Sequence, residues 1–504
     1  MVDNTQMLQP TVRLRPDWDI GYLCAIGVIA LFLCISFVVY GMSGVPIMWN
    51  ALLALGYGVL VLTAAVVMVV GGGGMAALPY FLIGTAIFFG FGTYISVNEV
   101  ASSLYFTEGQ QIQLLPKVNL VNALAIFCAT LAAGVFVFRR ERGSGDTGDV
   151  EDKLVVLLPY FNFVLVGAAC VVFVEWYTFP RLTDKNLASV MTVVEILPAF
   201  ALFLGGAVWQ KLAQFHRVAL LLTIVLVAAE GLLSARKVTV IMPFLSFALG
   251  LWVGERHRLA AVFTACFGVA LYVAFLSSAV AHIRSHTLFD PSLNTVEERV
   301  QIFSDVITSL DDRNIDVISQ PLLARFSPTQ FSAHFISSYD NNFRGDSLDN
   351  ALVVLVPRIL WPEKPIINPG KHFDSVWRDI DFFTSLAIGF PAEAYWNQGW
   401  FGVIVVSTYI GLMCGWFSWK WFQFRRYGWV HGGIFVMSPL IVKSALWVET
   451  NIVGSYIGGW VKFALAVLAI DCLIRAVKFL SARVQDSLDQ QRPMEIAPRL
   501  PENS

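Results

Sequence analysis

"IGYLCAIGVIALFLCISFVVY", residues 20–40, carries no charged side chain along its whole length. About 20 apolar residues of helix are needed to cross the hydrocarbon core of a bilayer, so this stretch reads as a first transmembrane helix. The residues before it, "MVDNTQMLQPTVRLRPDWD", stay polar for too long to be the n-region of a signal peptide, and no small-residue cleavage site follows the apolar run. The helix is therefore expected to be retained. Apolar runs of similar length recur at 51–70, 78–97, 118–138, 154–174, 190–209, 217–233, 238–254, 259–280, 399–418, 430–448 and 456–474, and with the first they make twelve. The composition agrees: 57% of the 504 residues are hydrophobic and 14% charged, with a mean hydropathy of +0.66, where soluble domains carry about 25% charged residues. The fold class this predicts is an all-α polytopic membrane protein. A net charge of −2 with no basic tract gives no footing for nucleic acid.

Charge placement orients the chain. With a cytoplasmic N-terminus, the inside segments hold 18 Lys and Arg and the short outside loops hold 5, the asymmetry expected of cytoplasmic loops. Both termini are then cytoplasmic. The predicted organisation is a cytoplasmic segment at 1–19, nine helices over 20–280, a large outer loop at 281–398, three helices over 399–474 and a disordered cytoplasmic tail at 475–504. Cys24, Cys34, Cys128, Cys170, Cys266, Cys414 and Cys472 all fall inside apolar segments, so they read as packing residues with neither a disulfide framework nor a metal site.

A loop this long is usually functional. "TVEERVQIFSDVITSL" alternates at helical spacing, with Thr295 as an N-cap candidate and Glu298 three residues on. "VISQPLLARF" and "FSAHFISSY" read as short amphipathic helices lying on the membrane. The loop also contains "VPRILWPEKP", residues 356–365, preceded by an apolar run too short to span. Three prolines there make a rigid turn carrying Arg358, Trp361 and Lys364. Arg344 and Arg378 lie in the same loop, and a second outward turn, "SARK", carries Arg236 and Lys237. Guanidinium groups match phosphate oxygens in a fork geometry. These cations therefore suit a lipid-linked phosphate, or simply lipid headgroups.

The stretch "GFPAEAYWNQGWFG", residues 389–402, enters the tenth helix. Glu393 stands there among Tyr395, Trp396 and Trp400. A carboxylate at such an edge can take a proton from a hydroxyl, and aromatic faces stack on sugars. The same pattern also fits an interfacial aromatic belt with a carboxylate at a helix start. His282, His286, His334 and His372 share this side without a convincing metal-ligand spacing. Glu195, Glu230, Lys443 and Lys462 lie within apolar segments, where they are expected to face the bundle interior or water. No phosphate loop, dinucleotide fingerprint or hydrolase elbow is present.

The pairing of "VPRILWPEKP" with "AEAYWNQGWFG" resembles the Wzy-type oligosaccharide repeat-unit polymerases of bacterial envelopes. The matching residues are Arg358, Trp361, Pro362, Lys364 and Pro365, then Glu393, Tyr395, Asn397, Gly399 and Gly402. "SARK" is similar to that family's arginine turn, although Ala235 and Lys237 flank the arginine where the family often has glycine. The resemblance implies a GT-C-like membrane glycosyltransferase of the bacterial inner membrane, with a periplasmic loop and a donor linked to undecaprenyl pyrophosphate. It implies no cofactor and no metal. Arg236, Arg358 and Glu393 would be catalytic. Lys237, Arg344, Trp361, Lys364, Arg378, Tyr395, Trp396 and Asn397 would bind substrate. Partners implied by the family are membrane lipid, a chain-length regulator and a flippase. A ligase-like enzyme with another acceptor, and a transporter of lipid-linked saccharide, are the competing readings.

Overall fold

The computed structural model describes residues 17–42, 44–97, 112–138, 157–178, 196–234, 237–254, 258–272, 296–308, 328–349, 351–356, 360–361, 363–364 and 388–491. Among them no strand occurs. A backbone in hydrocarbon has no water to bond with, so each apolar segment satisfies its own N–H and C=O groups as helix. Helices α1 (Asp17–Gly41) and α2 (Ile47–Met68) form a hairpin, and α2 runs on into a π-helical turn, Val69–Gly73. The next segment is α3 (Ala77–Thr85), a π-helical stretch (Ala86–Phe91) and α4 (Gly92–Val97) in succession. Then follow α5 (Leu115–Val137), α6 (Phe161–Thr178), α7 (Ile196–Ala207), α8 (Gln214–Leu233), α9 (Lys237–Val253) and α10 (Arg258–Leu271). The loop region contributes α11 (Val296–Thr308) and α12 (Thr329–Asp340). The chain closes with α13 (Phe390–Tyr427), α14 (Gly432–Leu446) and α15 (Trp460–Gln491), the last preceded by a π-helical stretch, Ile452–Gly459.

Every one of the twelve apolar segments holds a helix among the described residues. Among the described residues six helical stretches are long and apolar enough to cross a membrane, and one of them, Phe390–Leu446, takes in both α13 and α14. The apolar helices at Leu158–Val174, Ile196–Ala207, Val238–Val253 and Arg258–Leu271 are shorter. In α15 the charges Lys462, Asp471 and Arg475 interrupt the apolar run. The outside of the bundle is strongly apolar: Phe163, Phe173, Phe215, Leu259 and Phe263 are all largely exposed. An apolar surface on that scale belongs in lipid, and the protein is a membrane protein.

The centre of the bundle is the pair α5 and α13. "GLMCG", residues 411–415, sets Gly411 over the carbonyl of Ala129 and Gly415 over that of Ala133. A Cβ at Gly411 would lie 2.0 Å from the Ala129 oxygen. Small residues four apart let two helix backbones touch, which is how helices gain packing energy where lipid supplies no hydrophobic drive. Helices α6 to α10 form a second group. It meets the first through α14, where Phe203 and Phe200 pack on Phe435 at centroid distances of 4.9 and 6.1 Å.

Several sequence expectations change. The last helix continues to Gln491, through residues expected to be a disordered tail, because Lys, Arg, Gln and Ala are good helix formers. Helix α12 turns its apolar face to the bundle, where Ala333, Phe335 and Ile336 are buried. Five of the seven cysteines lie exposed on helix surfaces and only Cys414 is buried; none is disulfide-bonded.

At the end of α13 away from the loop, Lys420 donates to Asp471 Oδ2 at 3.0 Å, and the Gly433 amide donates to Asp471 Oδ1 at 2.8 Å. Both side chains are buried, so α13, α14 and α15 meet on one carboxylate. Removing one partner of a buried pair strands the other charge, at about 3–5 kcal/mol. Asp471→Ala is therefore expected to lower stability by that order in a thermal or denaturant unfolding assay. The Lys420→Met, Asp471→Leu double variant is expected to recover most of the loss.

Candidate functional site

Helix α13 starts after Gly389, whose φ of +83° lets the chain turn sharply into the first turn. Glu393 and Asn397 sit four residues apart and so share a face. The helix then breaks at Gln398 and Gly399. Gly399 has φ +59°, and a Cβ there would lie 2.8 Å from the Tyr339 hydroxyl of α12. Only glycine meets both demands.

Glu393 is fully buried. Its Oε1 accepts from the Ser347 hydroxyl at 2.8 Å and its Oε2 from the Ile452 amide at 2.7 Å. That amide opens the π-helical stretch 452–459, whose cap, Asn451, accepts from the Gly454 amide at 2.7 Å. The carboxylate therefore faces a helix start, where backbone donors favour negative charge. Asn397 completes the arrangement. Its Nδ2 donates to Ser347 Oγ at 2.9 Å and to the Glu393 carbonyl at 2.8 Å, and its Oδ1 accepts from the Leu348 amide at 3.1 Å. The buried Tyr456 hydroxyl has no hydrogen-bond partner among the described residues.

The aromatic neighbours of Glu393 are packing and anchoring groups in this conformation. The Tyr395 hydroxyl donates to Asp340 Oδ1 at 3.0 Å, and Lys117 binds Asp340 Oδ2 at 2.5 Å while lying 5.0 Å above the Tyr395 ring. Trp396 donates from Nε1 to the Phe343 carbonyl at 3.0 Å and stands edge-on to Phe335 at 4.8 Å. Both rings are buried, so protein covers the faces expected to stack on a sugar.

The described residues that flank Arg358 are held by two sets of contacts. Val354 packs on Gly458 of the π-helical stretch. Lys364 folds back to donate to the carbonyls of Val354 and Val356, each at 2.9 Å. These contacts fix the stems on either side of residues 357–359. Trp361 is partly exposed, and Arg344 forms an exposed ion pair with Asp349 at 3.0 Å. Arg236, Arg358 and Arg378 lie outside the described residues, as does the side chain of Lys237. His282, His286 and His372 lie outside them too, whereas His334 is buried in α12.

Sequence reasoning missed Ser347, Asp340, Lys117 and the Ile452 amide. Ser347 carries no signal of its own in a polar loop. The polar "ETN" between two apolar runs, residues 449–451, is the one legible mark of the turn that meets Glu393. Glu449 in that turn is a second buried carboxylate, accepting from Trp447 Nε1 at 3.0 Å.

The fold and site define an all-helical membrane protein whose long loop is clasped by a buried glutamate and asparagine at the start of one helix. The chain belongs to the family described as "Domain of unknown function (DUF8712)", whose model matches residues 78–442. No curated protein and no solved structure matches it.

Proposed function

We propose that this protein is a glycosyltransferase of the bacterial inner membrane that polymerises oligosaccharide repeat units linked to undecaprenyl pyrophosphate. The proposal includes about twelve spans in a GT-C-like arrangement, with the loop periplasmic and both termini cytoplasmic. The observation that carries it is the clasp of Glu393 and Asn397 on Ser347 and Leu348. It ties the "AEAYWNQGWFG" helix start to the loop segment that leads directly into "VPRILWPEKP", so the two motifs of the resemblance belong to one locality.

In this reading the acceptor sugar hydroxyl takes the place of the Ser347 hydroxyl on Glu393. Its oxygen bonds to the anomeric carbon of the donor and its proton passes to the carboxylate. The bond from that carbon to the pyrophosphate oxygen breaks, and the lipid pyrophosphate leaves with the electron pair. Arg236 and Arg358 stabilise the charge that builds on it, and Arg378 and Lys237 bind the same substrate. Lys364, already bound to two carbonyls, holds the turn in shape. Arg344 and Trp361 meet substrate at the rim, while Tyr395, Trp396 and Asn397 position the helix start.

The test uses purified protein in nanodiscs with the lipid-pyrophosphate repeat unit, chelator and no nucleotide. A glycan ladder at repeat-unit spacing is expected. Arg236→Ala and Arg358→Ala are each expected to abolish it, a loss of about 10²-fold or more, with protein levels unchanged. Addition of a single unit to another acceptor would replace this reading with the ligase. Near-normal ladders from both variants would overturn the site.

A further inference from the structure

Six apolar residues in a row, "ALVVLV" at 351–356, stand in the large loop just after the Ser347 and Leu348 clasp. Ala351–Leu355 is a 3₁₀ turn, and none of its side chains is buried. Leu352 is 77% exposed and so is Leu360, with Trp361 partly exposed beside it. Leu465, an apolar surface residue of α15, is less exposed at 61%. An apolar surface of this kind marks an interaction site. The segment is also held in one place. The Leu348 amide donates to Asn397 Oδ1 at 3.1 Å, the Ala351 amide donates to the Leu348 carbonyl at 3.0 Å, and Val354 packs on Gly458. Lys364 brings the far stem back: its amide donates to the Trp361 carbonyl at 3.2 Å, and its Nζ donates to the carbonyls of Val354 and Val356 at 2.9 Å each. Leu352, Leu360 and Trp361 therefore belong to one locality.

We propose that this segment is a membrane anchor: Leu352, Leu360 and Trp361 enter the interfacial layer of the bilayer, and their partner is phospholipid. Continuity with the lipid-facing surface favours that partner. Leu465 follows Gly458, the residue under Val354, by seven residues, which is about 10 Å along a helix axis. The backbone points the same way. Carbonyls at the end of a helical turn lack a partner within it, and in lipid they find no water. Here Lys364 caps the carbonyls of Val354 and Val356, and the Val353 carbonyl accepts from the Val356 amide at 3.2 Å. A turn whose carbonyls are satisfied in this way can leave water. Tryptophan, with an apolar ring and one N–H, is enriched where membrane meets water. The anchor does not depend on the proposed reaction.

The experiment places a benzophenone amino acid at 352, 360 or 465, one position at a time, in the full chain in phospholipid nanodiscs. Position 465 is the reference for a side chain in lipid. Irradiation and mass spectrometry of the labelled peptide are expected to show phospholipid adducts at 352 and 360, in yields comparable with that at 465. Adducts at 465 with none at 352 and 360 would overturn the anchor. A cross-linked dimer from 352 or 360 would replace it with contact between copies of this chain. An adduct of added undecaprenyl-pyrophosphate repeat unit that displaces phospholipid would assign the patch to the substrate's tail. Either result overturns the lipid assignment. A second measurement covers a labelled variant that fails to fold. Wild type and Trp361→Phe are compared in nanodiscs of ordinary and of brominated lipid. Bromine quenches a tryptophan within its reach, so brominated lipid is expected to remove most of the fluorescence difference between the two proteins. A difference that survives undiminished would overturn the anchor.

Discussion

Replacing Gly411 by leucine is expected to separate α5 from α13 and to cost about 3 kcal/mol or more. The obstacle is backbone: the new Cβ would meet the Ala129 oxygen at 2.0 Å, and its carbon at 2.6 Å. No rotamer relieves a clash that begins at Cβ. Leucine is the better helix former by about 1 kcal/mol, so intrinsic propensity pulls the other way and cannot explain a loss. Gly27 of α1 supplies the control, because a Cβ there meets nothing within 4 Å. Gly27→Leu is expected to stay within about 0.5 kcal/mol of the parent. Thermal unfolding of the three proteins in the same nanodiscs checks this. A Gly411→Leu protein that unfolds with the parent would mean that the two helices do not cross where the structure has them.

The second large effect is at Glu393, and it separates two roles for one side chain. Alanine removes the acceptor for both the Ser347 hydroxyl and the Ile452 amide. Each buried donor left unsatisfied costs about 1–3 kcal/mol. Glu393→Ala is thus expected to loosen the loop from the bundle, read as faster proteolysis within 341–356. Glutamine behaves differently. Its carbonyl oxygen can accept from Ile452 while its amide nitrogen donates to the Ser347 oxygen, so the clasp survives. What glutamine cannot do is accept a proton from a sugar hydroxyl. Glu393→Gln is expected to give a folded, protease-resistant protein that makes no polymer, a loss of about 10²-fold or more. Polymer near the wild-type level from this variant would assign Glu393 to holding the loop alone.

The sequence by itself determined the membrane class and the place of all twelve apolar helices, because a run of side chains without charge decides helix in lipid before any packing does. It also singled out Glu393 and Asn397 and the turn at 356–365. The tertiary structure decided what those residues touch. Nothing local predicts that Ser347 and the Ile452 amide, 46 and 59 residues from Glu393, converge on one carboxylate. The aromatic residues at 395 and 396 read equally well as sugar-stacking or interfacial groups. Burial beneath α12 settled their surroundings, because helical spacing does not say which face another segment covers. The last helix ran past its apolar stretch for a related reason: polarity marks where a helix leaves lipid, not where its hydrogen bonds stop.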